Sequence, residues 1–193
     1  MLTVDYLLNK HPAFDDLERT DLELFRRFVS EYGYKIYDRT AGRPVITASA
    51  VVVNPDFSKI LLMHHKLHGS YRQFGGHADG NPDLVAVSAG ELADESNNDS
   101  GILLLQYPID IIRWDFPEDE KHGPAHDCFD IAFLFMMSED AKLKPKKSEV
   151  KDIIWEWLKV WRNYENSKAI DPQKEGIYQH RICDKIELFN AQR

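Results

Sequence analysis

Residues 73–101 read QFGGHADGNPDLVAVSAGELADESNNDSG, and the fold turns on this stretch. A glycine-rich turn from Gly75 to Gly80 leads into a helix. Asn81 is a good helix cap. Pro82 is a good first helical residue, because proline lacks an N–H that the first turn leaves unsatisfied anyway. The helix is expected from Pro82 to Ser96, with Leu84, Val85, Ala89 and Leu92 as its buried stripe. Glu91, Asp94 and Glu95 then fall at i, i+3 and i+4, on one face within about one turn. Three carboxylates so close repel one another. A hard cation such as Mg2+ or Mn2+ relieves that repulsion, since it prefers oxygen ligands and keeps sites open for a phosphate. A solvated acidic face is the plain alternative. The glycine turn directly ahead of the helix favours a site, because backbone without Cβ atoms lets a ligand approach closely.

Strand signals lie on both sides. Val45 to Val53 is rich in β-branched residues, Asn54-Pro55-Asp56 turns the chain, and Ile60 to His64 returns as the second arm of a hairpin. Leu103 to Trp114, Phe129 to Met137 and Ile153 to Trp157 read as further strands. Residues 1–33 read as helical. In their second helix Leu17, Phe25, Phe28, Val29 and Tyr32 keep helical spacing and Gly33 is the stop. That segment is expected to pack as an accessory layer. Lys174 to Phe189 reads as a closing helix with Ile177, Ile182 and Ile186 inward. Strands interleaved with helices imply an α/β architecture. The organisation expected is one domain over 1–193: a helical extension (1–40), a core (41–160) and a C-terminal helical segment (161–193).

The bulk properties narrow the function. With 193 residues the chain can bury one sizeable core. Its composition, 43% hydrophobic and 29% charged, is that of a globular protein, and a net charge of -8 argues against a nucleic-acid polymer as partner. The cluster Lys142, Lys144, Lys146, Lys147 is flanked by Glu139, Asp140 and Glu149 and reads as a solvated loop. Cys128 and Cys183 form no C-x-x-C pair, so neither a zinc site nor a disulfide framework is expected. Met1 to Asp16 lacks the pattern of a secretory signal, and no apolar run is long enough to span a membrane. The expected location is the cytoplasm.

The stretch Gly76 to Glu95 resembles the Nudix box, G-x5-E-x7-R-E-U-x-E-E-x-G-U, where U is apolar. Gly76 takes the first glycine, Glu91-Leu92 the E-U pair and Asp94-Glu95 the E-E pair. Outside the box, Thr47 to Ala50, Leu61 to Lys66 and Gln73 to Gly80 look like one bacterial branch of Nudix hydrolases that also carries a helical N-terminal extension. His126-Asp127-Cys128-Phe129-Asp130 resembles that branch's H-x-H-x-D strand, with Cys128 in place of a histidine. Ser148-Glu149 ahead of Trp155 resembles the segment that lends another acid to the metal site. The resemblance implies an α/β/α sandwich with a mixed central sheet. It also implies Glu91, Asp94 and Glu95 as ligands of Mg2+ or Mn2+. Glu91, Glu95 and Glu149 would be the catalytic acids, with Glu95 or Glu149 as general base. There are departures: Pro82 stands where the pattern has Glu, Gly90 where it has Arg, and Asp94 where it has Glu. The box glycine looks displaced to Gly101 by about four inserted residues, although Asn97 tolerates the left-handed conformation that ends a helix.

Other candidates stand on their own residues. His64, His65, His68 and His77 are dense but fit no standard zinc spacing. Arg72 and Gln73, with Gly75, Gly76 and His77, are expected to contact substrate, although Arg72 also reads as an exposed loop charge. His126 and Asp130 share one strand face, as a site wall or a hydrogen-bonded pair. The expected activity is metal-dependent hydrolysis of a diphosphate linkage in a small nucleoside diphosphate derivative, with a homodimer as a possible assembly. The alternative is a catalytically impaired Nudix domain that binds a nucleotide or regulates a partner. An isomerase has no positive motif.

Overall fold

The computed structural model describes residues 3–39, 43–118, 124–165 and 171–193. Met1 and Leu2 of the expected N-terminal helix, and 166–170 of the expected C-terminal segment, lie outside the described residues. At the centre is β1 (Val45–Val53), whose β-branched residues suit a strand buried on both faces. It runs parallel to β7 (His126–Met136), in register from Val45 opposite Cys128 to Val53 opposite Met136. The free edge of β7 carries β5 (Ile102–Leu103) and β6 (Asp110–Phe116), both antiparallel. The other edge of β1 is divided. Its C-terminal end pairs with β2 (Lys59–His65), its N-terminal half with β4 (Phe74–His77). β2 is in turn flanked by β3 (Ser70–Arg72) and β8 (Val150–Trp157). Residues 70–77 thus cross from β2 to β1, with Gln73 at the crossover.

Alternation along the strands separates two cores. Ala48, Ala50 and Val52 face the layer formed by α1 (Val4–Lys10), α2 (Asp16–Tyr32) and α3 (Leu84–Ser96). Val51, Val53 and Leu62 face α5 (Pro172–Ala191) and the short α4 (Leu158–Trp161). The result is an α/β/α sandwich with a mixed sheet. Among the described residues no helix is long and apolar enough to cross a membrane.

Several expectations are corrected. Gly75 to His77 form strand rather than turn, because a ladder uses only backbone groups; the turn is Ala78 to Asn81. α3 starts at Leu84, not Pro82, since Asp83 takes the cap and accepts from Ala86 N–H at 3.1 Å. The Leu103 to Trp114 strand is two strands with an irregular link. Ile177 is exposed, while Ile182 and Ile186 are buried as expected. α2 is no accessory layer: Phe25 is fully buried and stacks on Phe129 of β7 at 4.6 Å between ring centroids.

A buried ion network fixes this helical layer to the far side of the molecule. Glu18 of α2 accepts from His11 Nε2 at 2.6 Å, Lys185 Nζ of α5 at 2.6 Å, Phe14 N–H at 2.8 Å and Ile111 N–H of β6 at 3.1 Å. Burial alone pushes the Glu18 carboxyl up. The His11 and Lys185 contacts outweigh it and hold the group well below the usual carboxylate range. Asp110 of β6, equally buried, receives Arg181 of α5 through two bonds of 2.7 and 2.8 Å, and Lys185 at 2.7 Å. Removing one member leaves buried charges without partners. Glu18→Ala is therefore expected to cost about 3–5 kcal/mol. Glu187→Ala, which removes an exposed partner of Arg162, should cost less than about 1 kcal/mol. Urea unfolding of both variants against wild type checks the contrast, and equal losses would refute it.

Candidate active site

α3 packs on β1 and β4, and the contact is made through glycine. A Cβ built on Gly76 would lie 2.2 Å from Oε1 of Glu91, and one on Gly75 would lie 2.9 Å from the carbonyl oxygen of Ala48. At Gly75 the obstacle is backbone and no side chain fits; at Gly76 a side chain would have to push the Glu91 carboxylate out of its place. One helical turn further on, Glu95 is almost fully buried, and its Oε2 accepts the Gly75 N–H at 3.3 Å. Burial, with Glu91 and Glu149 nearby, pushes the Glu95 carboxyl up to about 8, although the Gly75 bond opposes the shift. Burial, Asp94 and Glu149 also raise Glu91.

Glu149 reaches this place from the loop before β8. The loop is stitched to the C-terminal end of α3 by Lys146 N–H to the Glu95 carbonyl (3.0 Å) and Lys144 N–H to that of Ser96 (2.8 Å). The Glu149 carbonyl accepts Lys66 N–H at 2.8 Å, which ties the same loop to the end of β2. Lys146 is thus no isolated solvated charge, as its sequence context suggested. Its Nζ lies 2.5 Å from Asp94 Oδ2 and 3.1 Å from Glu149 Oε2. These side chains are largely exposed, so the pairs supply local neutralisation more than stability.

The acids border a cleft of about 800 Å3, within the range of small-molecule sites. Glu91, Glu95, Glu149, Arg72, Gln73, Gly75, Gly76 and His77 all line it; Asp94 does not, being turned outward onto Lys146. Arg72 is not an exposed loop charge. Its Nε is buried without a hydrogen-bond partner, and burial pulls its pKa down against the attraction of Glu175, Asp130 and Glu95. Burial and Arg39 lower His77, which favours its neutral ring. The cleft continues past Arg72 to Asp130, Trp114 and Tyr178 on the α5 side of the sheet.

No family model and no curated protein matches the chain. Solved structures do. A Nudix-family hydrolase from Clostridium perfringens superposes with a TM-score of 0.56 at 19% identity, over 75% of this chain and 97% of that one. The dihydroneopterin triphosphate pyrophosphohydrolase of E. coli gives 0.55 at 11% identity, over 82% and 100%. An Ap4A hydrolase of C. elegans gives 0.53 at 15%, over 77% and 99%. The chain has the Nudix fold. At these identities the likeness is one of architecture, so the chemistry rests on the residues.

Within that fold the departures from the Nudix box take on physical meaning. Asn97 has φ 48° and ψ 41°, the left-handed conformation, and its N–H closes on the Ala93 carbonyl. It does the work of the box glycine where the helix ends, so no insertion is needed. Gly101 serves packing instead: a Cβ there would sit 2.8 Å from a Leu92 methyl. Gly90, at the arginine position, is exposed, with nothing within 4 Å of a built Cβ. Sequence reasoning missed Lys146 and the inner wall at Tyr178. The only local signal for Lys146 was its place three residues before Glu149.

Two stability effects are expected of this helix. Gly90→Ala should raise stability by about 0.5–1 kcal/mol through helix propensity alone, read by urea unfolding. The neutral Glu95 carboxyl contributes stability that is fully present below pH 4.5, its ordinary value, and is lost as pH rises through about 8. Glu95→Gln does not titrate. Without divalent ions its stability advantage over wild type should grow from pH 5 to pH 9, reaching on the order of 3 kcal/mol. A gap that stays constant with pH would place the Glu95 carboxyl in water.

Proposed function

We propose that this protein is a Nudix-type hydrolase that cleaves a diphosphate linkage in a nucleoside diphosphate derivative, with Mg2+ or Mn2+. The observation that carries the reading is Glu95: a carboxylate on a buried helix face, opening onto the cleft, with a single N–H at 3.3 Å as its hydrogen-bond partner. To ionise in that position, the group needs a counter-charge from outside the chain. Glu91 and Glu149 add carboxylates to the same cleft wall, so the donors are all oxygen, as a hard divalent ion requires. Among the described residues no three such side chains are converged for ligation as they stand. Rotation of Glu149 away from Lys146 would bring the third acid in. We therefore assign Glu91, Glu95 and Glu149 as the ligand set, with Asp94 acting through Lys146 from outside the cleft.

A divalent ion held there would polarise phosphoryl oxygens and lower the pKa of attacking water. The chain's own groups do the rest. Arg72, a buried cation between the acids and Asp130, is placed to hold the charge of a phosphate. Gly75 and Gly76 leave the strand flat beneath the acids, so a diphosphate can lie close to backbone. Gln73 fixes the inner wall by donating to the Tyr178 hydroxyl at 2.8 Å. Glu149, the most exposed of the three acids, or Glu95 accepts the proton from water.

A second reading has an observation of its own. Asp94 faces away from the cleft, and the arginine position of the box is the exposed Gly90. A domain so altered suits binding of a nucleotide without turnover.

Hydrolysis of a nucleoside diphosphate panel with Mg2+ separates the two. Wild type should release product, and Glu91→Gln and Glu95→Gln should each lower the rate about 100-fold or more. Saturable nucleotide binding with no turnover would favour the second reading. Turnover unchanged in both variants would remove the assigned site.

A further inference from the structure

The inner end of the cleft is built by elements other than the acid helix. Thr47 and Ser49 of β1 lie beside Asp130 of β7 on the sheet face that carries α5, with Thr47 directly opposite Asp130 in the parallel register. Asp130 is only 4% exposed. Its Oδ1 accepts both hydroxyls, from Thr47 at 2.7 Å and Ser49 at 2.8 Å. Thr47 has one hydroxyl proton and gives it to Asp130, so the Cys128 thiol 3.4 Å away is the donor in that contact. Burial keeps this thiol protonated, pushed up to about 12. The carboxylate is therefore pinned through one oxygen, both lone pairs of which are occupied. The other oxygen, Oδ2, is buried and accepts no hydrogen bond at all.

An unused acceptor on a rigidly held, buried carboxylate is costly unless something supplies a donor. The walls indicate what. The Trp114 ring stands edge-on to Tyr178, with centroids 5.8 Å apart, and Gln73 secures the Tyr178 hydroxyl. Both aromatic residues and Asp130 line the cleft. The surroundings set two aromatic rings beside a fixed acceptor, which matches a planar heterocycle presenting N–H groups along one edge. A phosphate does not fit there, since Asp130 would repel it.

We propose that this chamber receives a purine base through a ring N–H and adjacent amino donor, as guanine presents, with Oδ2 of Asp130 as acceptor, making Asp130 a specificity-determining residue. This rests on the reading that the acid end of the same cleft handles the phosphates. Arg72 lies between the two ends and feels Glu95 and Asp130 together. The base then enters from the α5 side and the diphosphate reaches back to Glu91 and Glu95.

The test is calorimetric binding to the full chain at pH 7.5 without divalent ions. The ligands are guanosine monophosphate, its N1-methyl derivative, adenosine monophosphate and ribose 5-phosphate. Guanosine monophosphate is expected to bind about tenfold or more tighter than the other three, the worth of a buried hydrogen bond to a charged group. Asp130→Asn is expected to erase that preference and leave ribose 5-phosphate binding unchanged. The N1-methyl ligand tests the same bond on wild-type protein, so a variant that fails to fold does not decide the matter. Equal binding of the methylated and unmethylated ligands, or a preference that survives in Asp130→Asn, overturns the proposal and makes Arg72 and Asp130 a structural pair. Cleavage of a base-free diphosphate ester with Mg2+ is measured in parallel. Cleavage without base preference sinks the chamber and keeps the hydrolase. Base preference without cleavage of any diphosphate keeps the chamber and sinks the hydrolase. Loss of both sinks both.

Discussion

The contact of Glu91 with Gly76 governs the acid end of this molecule. A Cβ on Gly76 would displace the Glu91 carboxylate, and one on Gly75 would strike Ala48 and Ser49 of β1, so the glycine pair keeps both approaches open. Helical spacing then places the second acid. Four residues after Glu91 the same helix face presents Glu95, which meets the Gly75 N–H. Two glycines on β4 are thus matched to two glutamates on α3. Because β4 is held by four residues of β1, and β1 by nine of β7, the acids are referred to the most extensively paired part of the sheet. A site that must hold charges at fixed separation gains from being mounted there rather than on a loop.

The molecule buries carboxylates in two ways. Glu18 has four donors, two of them on cationic or ionisable groups, and is held ionised. Glu95 has one backbone donor at a longer distance, and its pKa climbs to about 8. Burial raises both groups, so the difference lies in the partners. Glu18 and Asp110 are satisfied within the chain and join α2, β6 and α5 into one body. Glu95, with its one long hydrogen bond, and the free oxygen of Asp130 both border the same cleft. These two carboxylates therefore fall where a ligand could complete them, while Glu18 and Asp110 lie in a structural joint.

Much of this was legible in the chain. The β-branched run of β1, the hairpin after it and the periodicity of α2 carry their structure locally, and Gly33 stops α2 as expected. So does the shared face of Glu91 and Glu95, which needs only 3.6 residues per turn. What failed was non-local. Gly75-Gly76 reads as a turn, because its strand character comes from the ladder with β1 and not from its own propensity. Asp94 was grouped with the other acids, because spacing alone cannot reveal that Lys146, 52 residues away, draws it outward. Arg72 looks like a loop charge until the crossover between β2 and β1 folds it inward. The cap at Asp83 rather than Asn81 is a smaller difference: both residue types are good caps, and the helix starts at the buried Leu84.

The altered box positions divide by kind. Those with a purely conformational duty are met: Gly76 retains the close approach, and Asn97 adopts the left-handed conformation where the pattern has glycine. The charged positions that differ are Pro82, Gly90 and Asp94, while Glu91 and Glu95 are kept. Loss of two opposite charges together leaves no buried orphan, so the scaffold bears it. At the third position the shorter Asp94 side chain, no longer directed into the cleft, is taken up by Lys146, which also reaches Glu149. The acid cluster thus carries a cation of its own at its outer edge. On the proposed reading, an ion entering at Glu91 and Glu95 would meet a third acid tethered to Lys146. On that reading, release of Glu149 from Lys146 would be the step that completes the ligand set.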